Sequence, residues 1–112
     1  MPEHAFTIHM KAKKGYQKGI LVGQCIEYPA IIVQGKTLLD IKKEIFDGLE
    51  GYFKAFPEKL QPAIEKYAAL VQDQEQREQI DRKIQKQEEI LLMNEDQIGD
   101  DWQELELLAV QH

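Results

Sequence analysis

Apolar and polar residues alternate without a break from Phe6 to Ala12, the period-two signature of a strand with one wet face. The next stretch, Lys13 to Gly19, is polar and holds two glycines, which predicts a turn. Ile20 to Ile26 is nearly all apolar, which predicts a strand buried on both faces. Glu27-Tyr28-Pro29 interrupts it, because a proline has no N–H to give to a ladder. Ala30 to Val33 then reads as a third short strand rich in β-branched residues. Gly35 is expected to supply a positive φ for the turn that follows.

From there the period changes to that of a helix. Thr37 is the expected N-cap, with Asp40 three residues on in a capping-box-like position. Leu38, Ile41, Ile45, Leu49, Tyr52 and Phe56 form one stripe, flanked by Phe46 and Phe53, and Lys42, Lys43, Glu44 and Asp47 fall mainly on the other side. Gly48 and Gly51 each cost a helix about 1 kcal/mol, which points to close packing against a sheet. Pro57 stops the helix.

A second helical region follows, and Pro62 suits a first turn. Leu60, Ile64, Tyr67 and Val71 are spaced 4, 3, 4, as are Ile80, Ile84, Gln87 and Leu91, with a wholly polar Gln72 to Gln79 between them. This predicts one long helix, or two forming an arm or antiparallel hairpin. Asn94 to Asp101 reads as a turn. Trp102 to Val110 fits either a strand or a helix, and a fourth strand pairing antiparallel with Phe6–Ala12 at the sheet edge is preferred. The expected fold class is therefore α+β. It has a three- to four-stranded antiparallel sheet, one helix on one face, and a helical insertion before the last strand.

Composition narrows the setting. A chain of 112 residues, 43% of them hydrophobic, can bury a core without disulfides or metals. Its single cysteine, Cys25, excludes an internal disulfide and a cysteine-based zinc site, which fits a cytoplasmic location. MPEHAFTIHMK lacks a secretory pattern. No apolar run approaches the ~20 residues that span a bilayer. Net charge is −6, divided as +2 over residues 1–56 and −8 over residues 57–112. The acidic half disfavours direct nucleic-acid binding and favours encounter with a basic protein.

The order strand, proline bend, strand, glycine turn, capped helix resembles the HicB-like antitoxin family, whose domain looks like a partial ribonuclease H fold. Gln24-Cys25-Ile26-Glu27-Tyr28-Pro29 is similar to that family's strand and acid–proline bend. Val33-Gln34-Gly35-Lys36-Thr37 is similar to its turn and cap. Ala30 stands where many relatives have glycine, and Ile41 and Lys42 where many have alanine and glutamate. The resemblance divides the chain into a β-β-β-α core (1–57), an acidic helical arm or hairpin (58–101) and a last strand (102–112). It implies a module that binds and masks a small basic RNA-cleaving toxin. The family's DNA-binding extension has no counterpart here, so operator binding is not expected.

Chemistry of the chain's own is not expected. A ribonuclease H-like site needs carboxylates converging on two metal ions, and the first strand, FTIHMKA, has none. Cys25 needs a nearby histidine base to act as a nucleophile, and a small buried apolar role suits it better. His4, His9 and the terminal His112 are too scattered for a metal site. Lys11, Lys13, Lys14 and Lys18 make a solvated edge before they make a nucleic-acid footprint. No catalytic residue, metal or cofactor is therefore assigned. The candidate partner contacts are Glu27, Tyr28, Pro29 and Trp102. The alternatives to an antitoxin are a stand-alone oligomeric HicB-like protein (a dimer or larger) and a degenerate nuclease.

Overall fold

The computed structural model describes residues 3–111; His112 lies outside them. The fold is α+β. Strands β1 (Glu3–Lys14), β2 (Leu21–Cys25) and β3 (Ile32–Gly35) lead into helix α1 (Leu38–Ala55). A 3-10 turn (Pro57–Lys59) begins at the predicted stop and runs into α2 (Leu60–Tyr67). Strand β4 (Ala68–Val71), helix α3 (Gln74–Asn94), a second 3-10 turn (Glu95–Gln97) and strand β5 (Gln103–Gln111) complete the described chain.

All pairings are antiparallel, and β1 is the hub. One of its edges pairs with β5 from His4↔Gln111 to Ala12↔Gln103. Its other edge is shared: β2 takes Met10 to Lys14 and β4 takes Glu3 to Phe6. β3 extends the sheet beyond β2. The last segment is thus the strand expected beside Phe6–Ala12. The insertion, however, is neither one long helix nor a simple hairpin, since Ala68–Val71 crosses back as a fifth strand. β1 outruns β2 by about half its length, and backbone groups at Glu3 to Phe6 need partners. That need overrides the helical spacing of Leu60, Ile64, Tyr67 and Val71.

Phe6, Ile8, Met10 and Ala12 point into one face and are buried with Leu21, Cys25, Leu105 and Leu107. α1 lays Leu38, Ile41, Ile45, Phe46 and Leu49 on that face. α3 adds Leu91 beside it. Along β2 buried and half-buried residues alternate, so β2 is covered on one face only, contrary to the uniform burial its apolar run predicted. The opposite sheet face carries Thr7, His9, Lys11 and Lys13 and is open among the described residues.

Local sequence explains the helix ends. Thr37 Oγ1 accepts from Asp40 N–H at 3.1 Å, the cap read from sequence. Glu95 Oε1 accepts from Leu38 N–H at 2.9 Å, placing a carboxylate against the positive end of α1. Asp73 caps α3 by accepting from Gln76 N–H.

Three sequence expectations need correction. Gly35 has no positive φ; that geometry belongs to Gly19, at 81°. Gly35 is required by space, because a Cβ there would lie 2.8 Å from Asp40 Cβ. Gly48 does pack closely, against Ile31, but Gly51 has nothing within 4 Å of a would-be Cβ. Lys42 does not lie on the wet side of α1. It is 7% exposed, and its Nζ donates to Gln87 Oε1 and Glu88 Oε1, both at 3.1 Å. Gln87 Nε2 in turn donates to the Glu106 carbonyl at 2.7 Å. A buried ammonium is tolerable because this network satisfies it.

Gly23 is where α1 comes closest to the sheet: an added Cβ would sit 2.3 Å from Ile41 Cγ2. Ile41 is fully buried and β-branched, so it cannot swing aside cheaply. Gly23→Ala should cost about 1–3 kcal/mol through overpacking. Gly51→Ala, with open space around it, should stabilise by up to about 1 kcal/mol. Urea denaturation of the two variants checks both signs.

Candidate functional site

The β2–β3 connection is a sharp corner. Ile31 N–H donates to Tyr28 C=O at 2.9 Å, closing a turn with Pro29 in the position its fixed φ favours. Gln24 Nε2 donates to Pro29 C=O at 2.7 Å and ties the corner to β2. Pro29 and Ala30 are exposed at the tip.

Behind the tip, Tyr28 is the centre of an aromatic cluster. Its ring centroid lies 5.3 Å from Tyr52, 5.7 Å from Phe53 and 6.1 Å from Tyr67. The last two contacts are edge-on, the arrangement the ring quadrupole favours. Burial, then the neighbouring Tyr67 and Tyr52, push the Tyr28 phenol up to about 12. The corner, the end of α1 and the turn into α2 enclose a cleft of about 350 Å³. Glu27, Tyr28 and Pro29 line one side; Tyr52, Tyr67, Lys59 and Lys66 line the other. Three of the chain's four tyrosines meet there.

Glu27 anchors this corner to the sheet. Between the end of β2 and the start of β4, the shared edge of β1 has a notch at His9. Glu27 Oε1 accepts from His9 N–H at 2.7 Å, and Ile26 N–H donates to His9 C=O at 2.9 Å. Glu27 Oε2 also lies 2.7 Å from His9 Nδ1. On the other side of the ring, His9 Nε2 is 3.9 Å from Glu106 Oε2. The imidazole is therefore held between two carboxylates on the open sheet face, with its side chain 45% exposed.

Cys25 ends this chain of groups, with Sγ 3.9 Å from Glu27 Oε1. Burial first, then the Glu27 charge, pushes its thiol up to about 11. The neighbour of the thiol is a carboxylate, and the imidazole lies beyond it. A nucleophile would need the imidazole adjacent to take its proton. Among the described residues no group of three or more His, Cys, Asp or Glu could hold a metal ion.

Of the four candidate contacts, the structure brings Glu27, Tyr28 and Pro29 into one cleft and leaves Trp102 out. Trp102 lies on the open face, its ring 4.8 Å from Lys11 Nζ and 4.7 Å from Lys13 Nζ. Two lysines of the basic cluster thus stack on an aromatic ring. Lys14 and Lys18 stand apart from them, beside Lys36 around a separate small pocket. Tyr52, Lys59, Lys66 and Tyr67 were not legible as site residues, because helical spacing shows a stripe and not which other stripe it meets. No helix is long and apolar enough to cross a membrane among the described residues. No family model, curated protein or solved structure matches the chain.

Glu27→Ala leaves the His9 N–H without its acceptor and should cost about 1–3 kcal/mol in urea denaturation, with Glu27→Gln milder because an acceptor remains. Cys25 and Tyr28 hold their protons more tightly folded than unfolded. Their contribution to stability is therefore full below about pH 9 and falls as the pH rises toward 11 for the thiol and 12 for the phenol. The denaturation midpoint should drop over that range, and less steeply in Cys25→Ala. At neutral pH the folded thiol should resist alkylation that proceeds readily in urea.

Proposed function

We propose that the chain is a HicB-like protein-interaction module, an antitoxin that masks a small basic RNA-cleaving toxin. The observation that carries this reading is the cleft at the Glu27-Tyr28-Pro29 corner. Its tyrosines are half-exposed, mutually packed and anchored to the sheet, as in the aromatic anchors that dominate binding energy at interfaces. The carboxylate beside them is engaged by His9. The excess acidic charge of residues 57–112 steers a basic partner toward the molecule. The resemblance of residues 20–37 to the HicB-like strand, bend, turn and cap supplies the class of partner. The role is steric and electrostatic, in the cytoplasm, without a cofactor.

A second reading is a stand-alone oligomeric HicB-like protein without a toxin, and the unpaired outer edge of β5 at Leu108–Val110 favours it. A degenerate nuclease is the third. Metal-dependent RNA cleavage by the purified chain would establish that one and overturn the masking role.

The test is co-expression with a neighbouring reading frame of roughly 60–80 basic residues, the size of a marginal small domain. The expected outcome is relief of toxicity and co-purification of the two chains. Tyr28→Ala should weaken that complex about tenfold or more, or about 1.4 kcal/mol, read by titration calorimetry at a temperature where circular dichroism shows the variant folded. A neighbour that stays toxic, or the absence of any such neighbour, defeats the antitoxin reading.

A further inference from the structure

The pairing of β1 determines which backbone groups of β5 remain unused. His9 N–H and C=O face Glu27 and Ile26, on the β2 side of β1. Lys14 N–H faces the other way, to Gly99 C=O just before β5. Hydrogen-bonded and non-bonded pairs alternate in an antiparallel ladder. His9↔Glu106 is therefore a non-bonded pair, and the N–H and C=O groups of Glu104, Glu106, Leu108 and Val110 point away from the sheet. The Glu106 carbonyl confirms the direction, because it accepts from Gln87 of α3. Leu108 and Val110 have no partner for these groups among the described residues.

α3 protects only part of this edge. It meets the edge at Gln87, and in its first turn the Arg77 guanidinium pairs with Glu3 at the start of β1. Between these two points no backbone or side-chain hydrogen bond reaches the outward groups of Leu108 and Val110 among the described residues. Leu108, Ala109 and Val110 are all half-exposed, as are Ile80 and Ile84 in the intervening turns of α3. Sheet edges that stay single are usually blunted by lysine, proline, a bulge or brevity. β5 is nine residues long, without lysine or proline, and Leu107–Val110 carries no charge.

We infer that this edge pairs with the same edge of a second copy, joining the two sheets through antiparallel β5 strands about a two-fold axis near Leu108. The charge pattern permits this position and disfavours those nearer the start of β5. At Leu108 the two leucines face each other, Leu107 meets Ala109, and Glu106 meets Val110. An axis at Glu106 would set the two Glu106 side chains opposite each other, and one at Leu105 would set Glu104 opposite Glu106, both unfavourable. The inference goes beyond the masking role and stands whether or not the tyrosine cleft takes a toxin.

Light scattering across a range from micromolar to near-millimolar protein tests it. The expected result is a species of twice the chain mass, with the Leu108 and Val110 amides protected from hydrogen exchange at high concentration and exposed on dilution. Leu108→Lys places a charge on the free edge, and Val110→Pro removes only an outward-facing N–H. Both should give monomers with wild-type circular dichroism. A wild-type monomer throughout the range overturns the inference. So does a dimer that both folded variants retain, or one whose Leu108 and Val110 amides exchange freely. Should a variant fail to fold, the exchange of those two amides in the wild-type protein decides alone.

Discussion

Everything in this molecule hangs on satisfying both edges of one strand. β1 runs twelve residues through the middle of the sheet, and each of its backbone groups needs a partner on one side or the other. β5 serves one edge along most of its length. The other edge cannot be served by β2 alone, which is five residues long and bends away at Glu27. The remainder is filled by β4, and the notch between them by the Glu27 carboxylate and Ile26 N–H. The candidate binding corner is thus a by-product of how the sheet closes. The acid that completes the ladder at His9 also fixes the orientation of Tyr28 and Pro29.

The same logic accounts for the buried ammonium of Lys42. Lys42 lies between α1 and α3 where an apolar residue would be expected. With Gln87 and Glu88 it makes a relay that ends on the free-edge carbonyl of Glu106. This links the helical layer to the sheet through groups that fit only one register, where apolar packing alone would tolerate sliding. It also caps β5 at its midpoint, which concentrates the unprotected edge at Leu108–Val110.

Much of this was legible from local pattern. The alternation in Phe6–Ala12 identified β1 and its buried face, because a strand's two faces repeat every second residue. Thr37 and Pro57 marked the bounds of α1, because capping and helix breaking are local chemistry. The Glu27-Tyr28-Pro29 bend was visible because proline lacks a donor. Less was legible where a residue's environment comes from a distant segment. Ala68–Val71 is short and apolar, and periodicity alone does not separate a strand from a helix at that length. Lys42 looks like a surface lysine until Gln87 and Glu88, 45 and 46 residues away, are set against it. Trp102 reads in sequence as an interface-type residue, yet it stacks with Lys11 and Lys13 on the open sheet face.

The sequence by itself determined β1 and β2, the capped helix, the single-cysteine interior and the acidic second half, because period, propensity and charge are written residue by residue. Only the tertiary structure decided that three tyrosines and two lysines enclose one cleft, that the Cys25 thiol faces a carboxylate and not an imidazole, and which groups of β5 remain free. Those properties depend on which edge of β1 each strand occupies. Edge assignment is settled by the competition of whole segments for the same backbone groups, and no single segment carries it.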